Sequence, residues 1–454
     1  MSKADLFLGI EAAGTGTHPA SWRRADSGAE DLFTAHYWTA VVTLAERFGF
    51  DAVLLPDSFR VQEGGAGVTR GRLDAVAIAA RTAPLTRRIA LIPQAPVTHT
   101  EPFHVSKAIA ALDFASLGRA GWEVTVSSTA TEAKAFGRKD VQDGPALWHE
   151  AGEAIEVVTR LWDSWEDDAE IRDVATGRFI DRDRLHYIDF TGDNFAVKGP
   201  SITPRSPQGQ PIVTVRADDP ESTEVAVHRA DLIRISAPDL ATAAQRRIAL
   251  RAALATAGRD PDSVRVLLDL PVHLADSAEQ ARADVRELDG WAARSAAVVT
   301  GADHTATRAD DDSAPHAGDA AATLLHAGTA ADLDVLLAEI AAAGIVDGVV
   351  LQPLALRATL TILTAHHRTA PASAALPGAA GSSDLATGDQ ATATGTAEVV
   401  TSGAANSTNP PAPQRDSVTG ADSAARAGAP VTLRDRLGLA RPASRYATAT
   451  GAAL

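Results

Sequence analysis

The stretch DAVLLPD, Asp51 to Asp57, decides the fold. Ala52 to Leu55 is a continuous apolar run between acidic ends, the pattern of a strand buried on both faces of a parallel sheet. Before it, Ala35 to Phe48 has helical spacing and stops at Gly49. After it, Arg72 to Thr82 predicts a helix, IALIPQA (Ile89 to Ala95) a strand, and Pro102 to Leu117 a helix, with Pro in its first turn and Gly118 past its end. LFLGIEA (Leu6 to Ala12), WEVTVSS (Trp122 to Ser128), PIVTVRA (Pro211 to Ala217), DLIRISA (Asp231 to Ala237), VRVLLDLPVHLA (Val264 to Ala275) and GVVLQP (Gly348 to Pro353) continue the strand series. Helices are expected at 146–165, 220–229, 239–257, 278–294, 329–343 and 356–366. About eight strand–helix units imply an α/β fold of the TIM (β/α)8 barrel type rather than a doubly wound sheet.

Composition sets the limits. The chain has 454 residues, 42 basic against 58 acidic, for a net charge of −16. Such a chain repels phosphate backbones, which argues against a nucleic-acid partner. With no cysteine, disulfides, iron–sulfur clusters, thiolate zinc sites and a cysteine nucleophile are excluded. No apolar run approaches the ~18 residues of a membrane span, and the start lacks a signal-peptide pattern, so a cytoplasmic protein is expected. Of 21 aromatic residues only Tyr446 follows Trp291. The expected organisation is a barrel over 1–368, with insertions near 173–207 and 300–319. A low-complexity disordered linker follows over 369–430, then a short motif over 431–454 that docks back on the barrel.

Several motif classes are missing: there is no GK[ST], no HExxH and no GxSxG. Gly14–Thr15–Gly16 reads as a plain turn, His366 and His367 as a polar helix end, and Asp310 to Asp312 as a solvated run. In a barrel, chemistry sits on the loops after the strands. Glu11, Asp57, Gln94 and Ser127 fall at strand ends, where each could equally cap the next helix. His18, Trp22, Arg23 and Arg24 follow strand one, and His99 and His104 follow strand three. Spacing alone leaves both readings open.

The segments HPASWRR (His18 to Arg24), ERFGFDAVLLPDS (Glu46 to Ser58), EPFHVSKAIAALDFASLGRAGWEV (Glu101 to Val124), LWDSWEDDA (Leu161 to Ala169), VKGPSITPRSPQGQP (Val197 to Pro211) and the terminal TLRDRLGLARP (Thr432 to Pro442) resemble the luciferase-like, flavin-dependent monooxygenases of the nitrilotriacetate and dibenzothiophene-sulfone type. The resemblance implies a TIM barrel with an insert and a homodimer. It further implies reduced FMN from a separate flavin reductase, with oxygen transfer to a small organic substrate. It places Asp57, Gln94, Trp122, Ser127 and Arg216 at the flavin and makes His18, Trp22 and His99 candidates for the substrate side; no general base or metal ligand is assigned.

The cofactor segments depart from the family pattern. Gln94-Ala95-Pro96-Val97 stands for Thr-Ala-Ser-Thr, Glu123 for an Asn, and Leu147-Trp148 for Arg-Tyr. The family's phosphate loop, Gln-Ala-Gly-x-Ser, aligns with Val215 to Asp219, putting Asp218 and Asp219 where a phosphate is expected. Two alternatives therefore stand beside the FMN monooxygenase. One is a paralogue without flavin, acting as a partner subunit or small-molecule binder. The other is an oxidoreductase using the deazaflavin F420.

Overall fold

The computed structural model describes residues 6–60, 71–301, 323–369 and 431–447. Eight strands form its centre: β1 (Phe7–Glu11), β2 (Ala52–Leu55), β3 (Ala90–Pro96), β4 (Gly121–Thr125), β5 (Ile212–Arg216), β6 (Leu232–Ile235), β7 (Arg265–Leu274) and β8 (Gly348–Pro353). Each pairs in parallel with the next. Phe7 to Ile10 of β1 lie in register with Gly348 to Leu351 of β8, which closes the ring. The fold is a TIM (β/α)8 barrel. Parallel neighbours need crossover connections, and the helices supply them.

Those helices are α1 (Ala35–Phe48), α2 (Ala75–Thr82), α3 (Pro102–Ala115), α4 (Ala130–Phe136), α5 (Gly144–Asp163), α6 (Pro220–Arg229), α7 (Leu240–Thr256), α8 (Ala278–Gly301), α9 (Ala330–Ala343) and α10 (Leu356–Thr369). α2 begins later than its apolar spacing implies because Asp74 takes the N-cap, accepting the Ala77 amide at 2.7 Å. α4 is a helix the apolar spacing does not signal: seven residues held by a reciprocal cap between Thr129 and Glu132. The insert after α5 holds two short hairpins, Glu170–Asp173 with Arg178–Ile180 and Phe190–Thr191 with Ala196–Val197. Residues 302–319 of the expected loop and 370–430 of the expected linker lie outside the described residues.

Strand alternation divides the apolar side chains in two. Leu8, Ile10, Val53, Leu55, Trp38 and Trp162 belong to the layer between sheet and helices. Phe7, Leu54, Ile92, Ile212, Leu232, Leu267 and Val350 face inward and form the barrel's lower interior. The short helix α11 (Leu433–Leu437) sits beneath them, its Leu433, Leu437 and Leu439 in the same cluster. Burying three leucines there contributes about 1.5–3 kcal/mol each. Arg434 pairs with Asp231 at 2.8 Å and Arg436 with Asp51 at 2.7 Å, which fixes the segment's orientation. The floor of the barrel, its lower interior, is thus apolar, with α11 packed beneath it.

Candidate active site

One turn of the pleat above that floor, the inward positions become polar. Glu11, Gln94, Glu123, Arg216, Arg234, Asp269 and Gln352 continue the inward register of β1, β3, β4, β5, β6, β7 and β8. Arg234 lies at the centre, fully buried. It donates to Glu11 at 2.5 Å, to both oxygens of Glu123 at 2.9 and 2.7 Å, and to Asp269 at 2.8 Å. Gln94 donates to Glu123 at 2.9 Å, and Gln352 to Glu11 at 3.3 Å. Burial would lower the Arg234 pKa, but Asp269, Glu123 and Glu11 outweigh it and hold it well above the usual value. Burial raises Asp269 to about 6, against the pull of Arg234 and Arg216. Its Oδ2 makes no hydrogen bond and lies 3.4 Å from Arg216 Nη2.

This ionic layer corrects one expectation and explains another. Glu123, which stands for the family's Asn, is not a free acid: both its oxygens accept from Arg234, which it shares with Glu11 and Asp269. Gln94 faces inward, yet both ends of its amide are engaged, since its Oε1 accepts the Asp57 backbone amide at 2.9 Å. Trp122 faces the other way. It is fully buried in the sheet–helix layer, edge-on to Trp162 at 6.3 Å, with its Nε1 donating to Ala95 O at 3.2 Å. Residue alternation along β4 requires this: if Glu123 points in, Trp122 must point out. Trp122 is a core residue rather than a cofactor contact.

The loops after β2, β3 and β4 form one side of the rim. Asp57 accepts the Ser58 amide at 2.8 Å and the Ala75 amide at 2.9 Å, so its carboxylate ties the loop to the start of α2. Burial raises its pKa in spite of those two bonds. His99 stacks on Phe136 at 4.7 Å, and Phe136 meets the edge of Phe59 at 4.7 Å. Both ring nitrogens of His99 are buried without a partner, as is Ser127 Oγ. Burial, then the charge of Lys139, pushes the His99 pKa down and favours a neutral ring. Ser127 is positioned by its amide, which donates to Thr98 Oγ1 at 2.9 Å.

The opposite side of the rim carries His18, Trp22 and a histidine that motif reading passed over. His18 Nδ1 accepts the Ala20 amide at 3.1 Å, which leaves the ring hydrogen on Nε2, 3.3 Å from Asp289 of α8. Burial lowers its pKa. Trp22 lies in the same loop with the Arg23 guanidinium over its ring at 5.3 Å. His273, on β7 two positions beyond Pro271, is fully buried, with Nε2 3.1 Å from Asp284 Oδ2 and Nδ1 unpartnered. Arg24 and Gln280 hold the same carboxylate at 3.2 and 2.5 Å. The signal for Arg234, Asp269 and His273 was present in the sequence as polar residues at alternate positions of otherwise apolar strands. Their parity becomes meaningful only once the inward face is known.

At the end of β5, Arg216 Nε donates to Asp218 at 3.1 Å. Asp219 caps α6 by accepting the Ser222 amide at 2.6 Å. Leu147 is buried, and half-buried Trp148 lies against the sheet–helix layer from α5. Among the described residues, His149, Glu153 and Asp193 form a loose group whose ligand atoms fall within 4.8 Å of one another, but Glu153 is already bonded to the amides of Asp193 and Asn194.

A family model described as luciferase-like monooxygenase matches residues 11–350. The chain is 32% identical over 286 residues to the N-acetyl-S-(2-succino)cysteine monooxygenase of Bacillus subtilis (strain 168), covering 63% of this chain and 65% of that protein. It is 31% identical over 310 residues to the dibenzothiophene-sulfone monooxygenase of Rhodococcus erythropolis, covering 66% and 68%. The chain thus aligns with about two thirds of the length of these relatives. In fold it is similar to the EDTA monooxygenase of Chelativorans sp. BNC1, with TM-score 0.70 and 19% identity over 96% of this chain and 99% of the other.

Proposed function

Because the chain belongs to the luciferase-like monooxygenase family, we propose that it is a flavin-dependent monooxygenase acting on a small organic substrate at the C-terminal mouth of its barrel. The observation that carries this reading is the group of buried polar atoms without protein partners on the β3 and β4 loops: both His99 ring nitrogens and Ser127 Oγ. Buried donors and acceptors are nearly always satisfied, so such a group on the functional face of a TIM barrel suits a bound ligand.

The fit to FMN differs between its two ends. The ring system has polar partners waiting at Ser127 and His99, an aromatic neighbour in Phe136, and a dry ionic floor below. The phosphate meets Asp218 and a capped α6, which does not suit an anion. A reduced flavin supplies the two electrons that let one oxygen atom of O2 enter a substrate while the other leaves as water. The chain's own part is to exclude bulk water through the apolar floor, orient ligands through His99 and Ser127, and fix charge through Arg234 and its carboxylates. His18, Trp22 and His273 face the substrate side. A separate flavin reductase as electron source and a homodimer, both implied by the family resemblance, complete the proposal.

The test is titration with reduced and oxidised flavin, followed by flavin absorbance and fluorescence. Saturable binding that weakens at least tenfold in Ser127→Ala and His99→Ala supports the site. No binding of any flavin below about 1 mM, an affinity of only ~4 kcal/mol, overturns it.

A further inference from the structure

The helix N-termini around the mouth are the natural places for a phosphate, since each offers unpaired amides and a positive dipole end. In this chain its own side chains have taken most of them, the α6 terminus included. At α6, the amides of Asp218 and Asp219 both donate to Ser222 Oγ, at 3.1 and 3.0 Å, and the Ser222 amide donates to Asp219 Oδ1. The Ala217 amide is bonded to Arg234 O and the Thr223 amide to Asp219 O. Pro220 has no amide, so Glu221 is left as the turn's remaining donor. The neighbouring cation, Arg216, is shared between Asp218 and Asp269. Four more termini follow suit, whereas at α3 the N-cap Glu101 makes no side-chain bond. Asp74 and Asp57 take amides at α2, Glu132 sits in the α4 cap, Asp239 caps α7, and Asp332 sits in the α9 cap.

A phosphomonoester adds about −1.5 to −2 charges at neutral pH. At each of these termini it would be an additional anion beside a carboxylate that already holds the dipole. We propose that the chain's cofactor is a flavin recognised without its phosphate, so that riboflavin binds at least as tightly as FMN. This rests on the flavin reading above and sharpens it: the contacts are made to the ring system, and Asp218 with Asp219 act as a filter against a terminal phosphate.

The experiment measures riboflavin and FMN dissociation constants on the same preparation of the full chain, oxidised and, under anaerobic conditions, reduced. The expected ratio of FMN to riboflavin dissociation constants is one or more. A double variant, Asp218→Asn with Asp219→Ser, removes both carboxylates while keeping a capping hydroxyl. It should shift the ratio toward FMN by about tenfold, with riboflavin affinity nearly unchanged, as expected for relieving a like-charge contact. Because two ligands are compared on one sample, partial misfolding of the variant cancels. FMN binding tighter than riboflavin in the unaltered chain, or an unmoved ratio in the double variant, overturns the inference and leaves the flavin reading standing. Failure of both flavins to bind overturns both.

Discussion

Replacing Arg234 with methionine tests whether the ionic layer holds the barrel together. The substitution keeps the volume roughly, but removes the one cation that touches Glu11, Glu123 and Asp269 at 2.5 to 2.9 Å. Of the two interior arginines only Arg216 remains, 3.4 Å from Asp269. Carboxylates about 4 Å apart at an effective dielectric near 20 repel by about 4 kcal/mol per pair. The layer can escape by taking up protons. Holding a carboxyl of ordinary pKa neutral costs about 5 kcal/mol at pH 8 but only about 1 at pH 5. Removing one partner of a buried ion pair generally costs about 3–5 kcal/mol. The expected loss is therefore about 4 kcal/mol at pH 8, shrinking to about 1–2 at pH 5. The sign follows from linkage: acids left without Arg234 have raised folded-state pKa values, so protons bind the folded form better and acid restores stability. Guanidinium unfolding read by circular dichroism and tryptophan fluorescence at both pH values gives the answer. Adding Glu123→Gln to the variant should recover part of the loss, although Glu123→Gln alone destabilises. A loss below about 1 kcal/mol at pH 8, or one equal at both pH values, would refute the claim that these charges depend on Arg234.

Other expectations follow from the same geometry. Asp269, raised to about 6 by burial, binds its proton more tightly folded than unfolded, so its contribution to stability declines as pH rises from about 4 to 6 and is then constant. Asp269→Asn should remove that slope from the difference between the two stability profiles; an unchanged slope counts against the assignment. Trp122→Phe should lower stability by about 1–3 kcal/mol through lost packing on Trp162, with flavin affinity held within about twofold. A large loss of affinity without loss of stability would return Trp122 to the cofactor site. Leu433→Ala should cost about 2–4 kcal/mol, since its side chain is fully buried in the barrel floor. Equal melting temperatures for variant and parent would show that the terminal helix contributes little to the barrel.

The strand–helix alternation was legible in the sequence because it is local. Apolar runs such as Ala52 to Leu55 and the caps and glycines around each helix act within a few residues, and they specify units that only a parallel sheet can join. The family was legible for a related reason: LWDSWEDDA and SPQGQP lie in the scaffold. Asp163 accepts hydrogen bonds from Arg205 and Gln210, and Gln208 donates to Asp113 and to the Ala120 carbonyl. Less of the candidate site could be read. Gln94 and Arg216 do face inward and Ser127 does reach the rim, yet Trp122 belongs to the core, and Asp218 and Asp219 proved to have structural partners of their own.

The sequence by itself determined the (β/α)8 architecture and the strand ends at which function would sit. Tertiary structure decided which side chains meet there. Arg234 reaches partners 35, 111 and 223 residues away, and no local pattern encodes such a meeting. It follows from ring closure: once β1 pairs with β8, the parity of each strand is fixed against the others, and charges that look scattered along the chain are forced into one dry interior where they must neutralise each other.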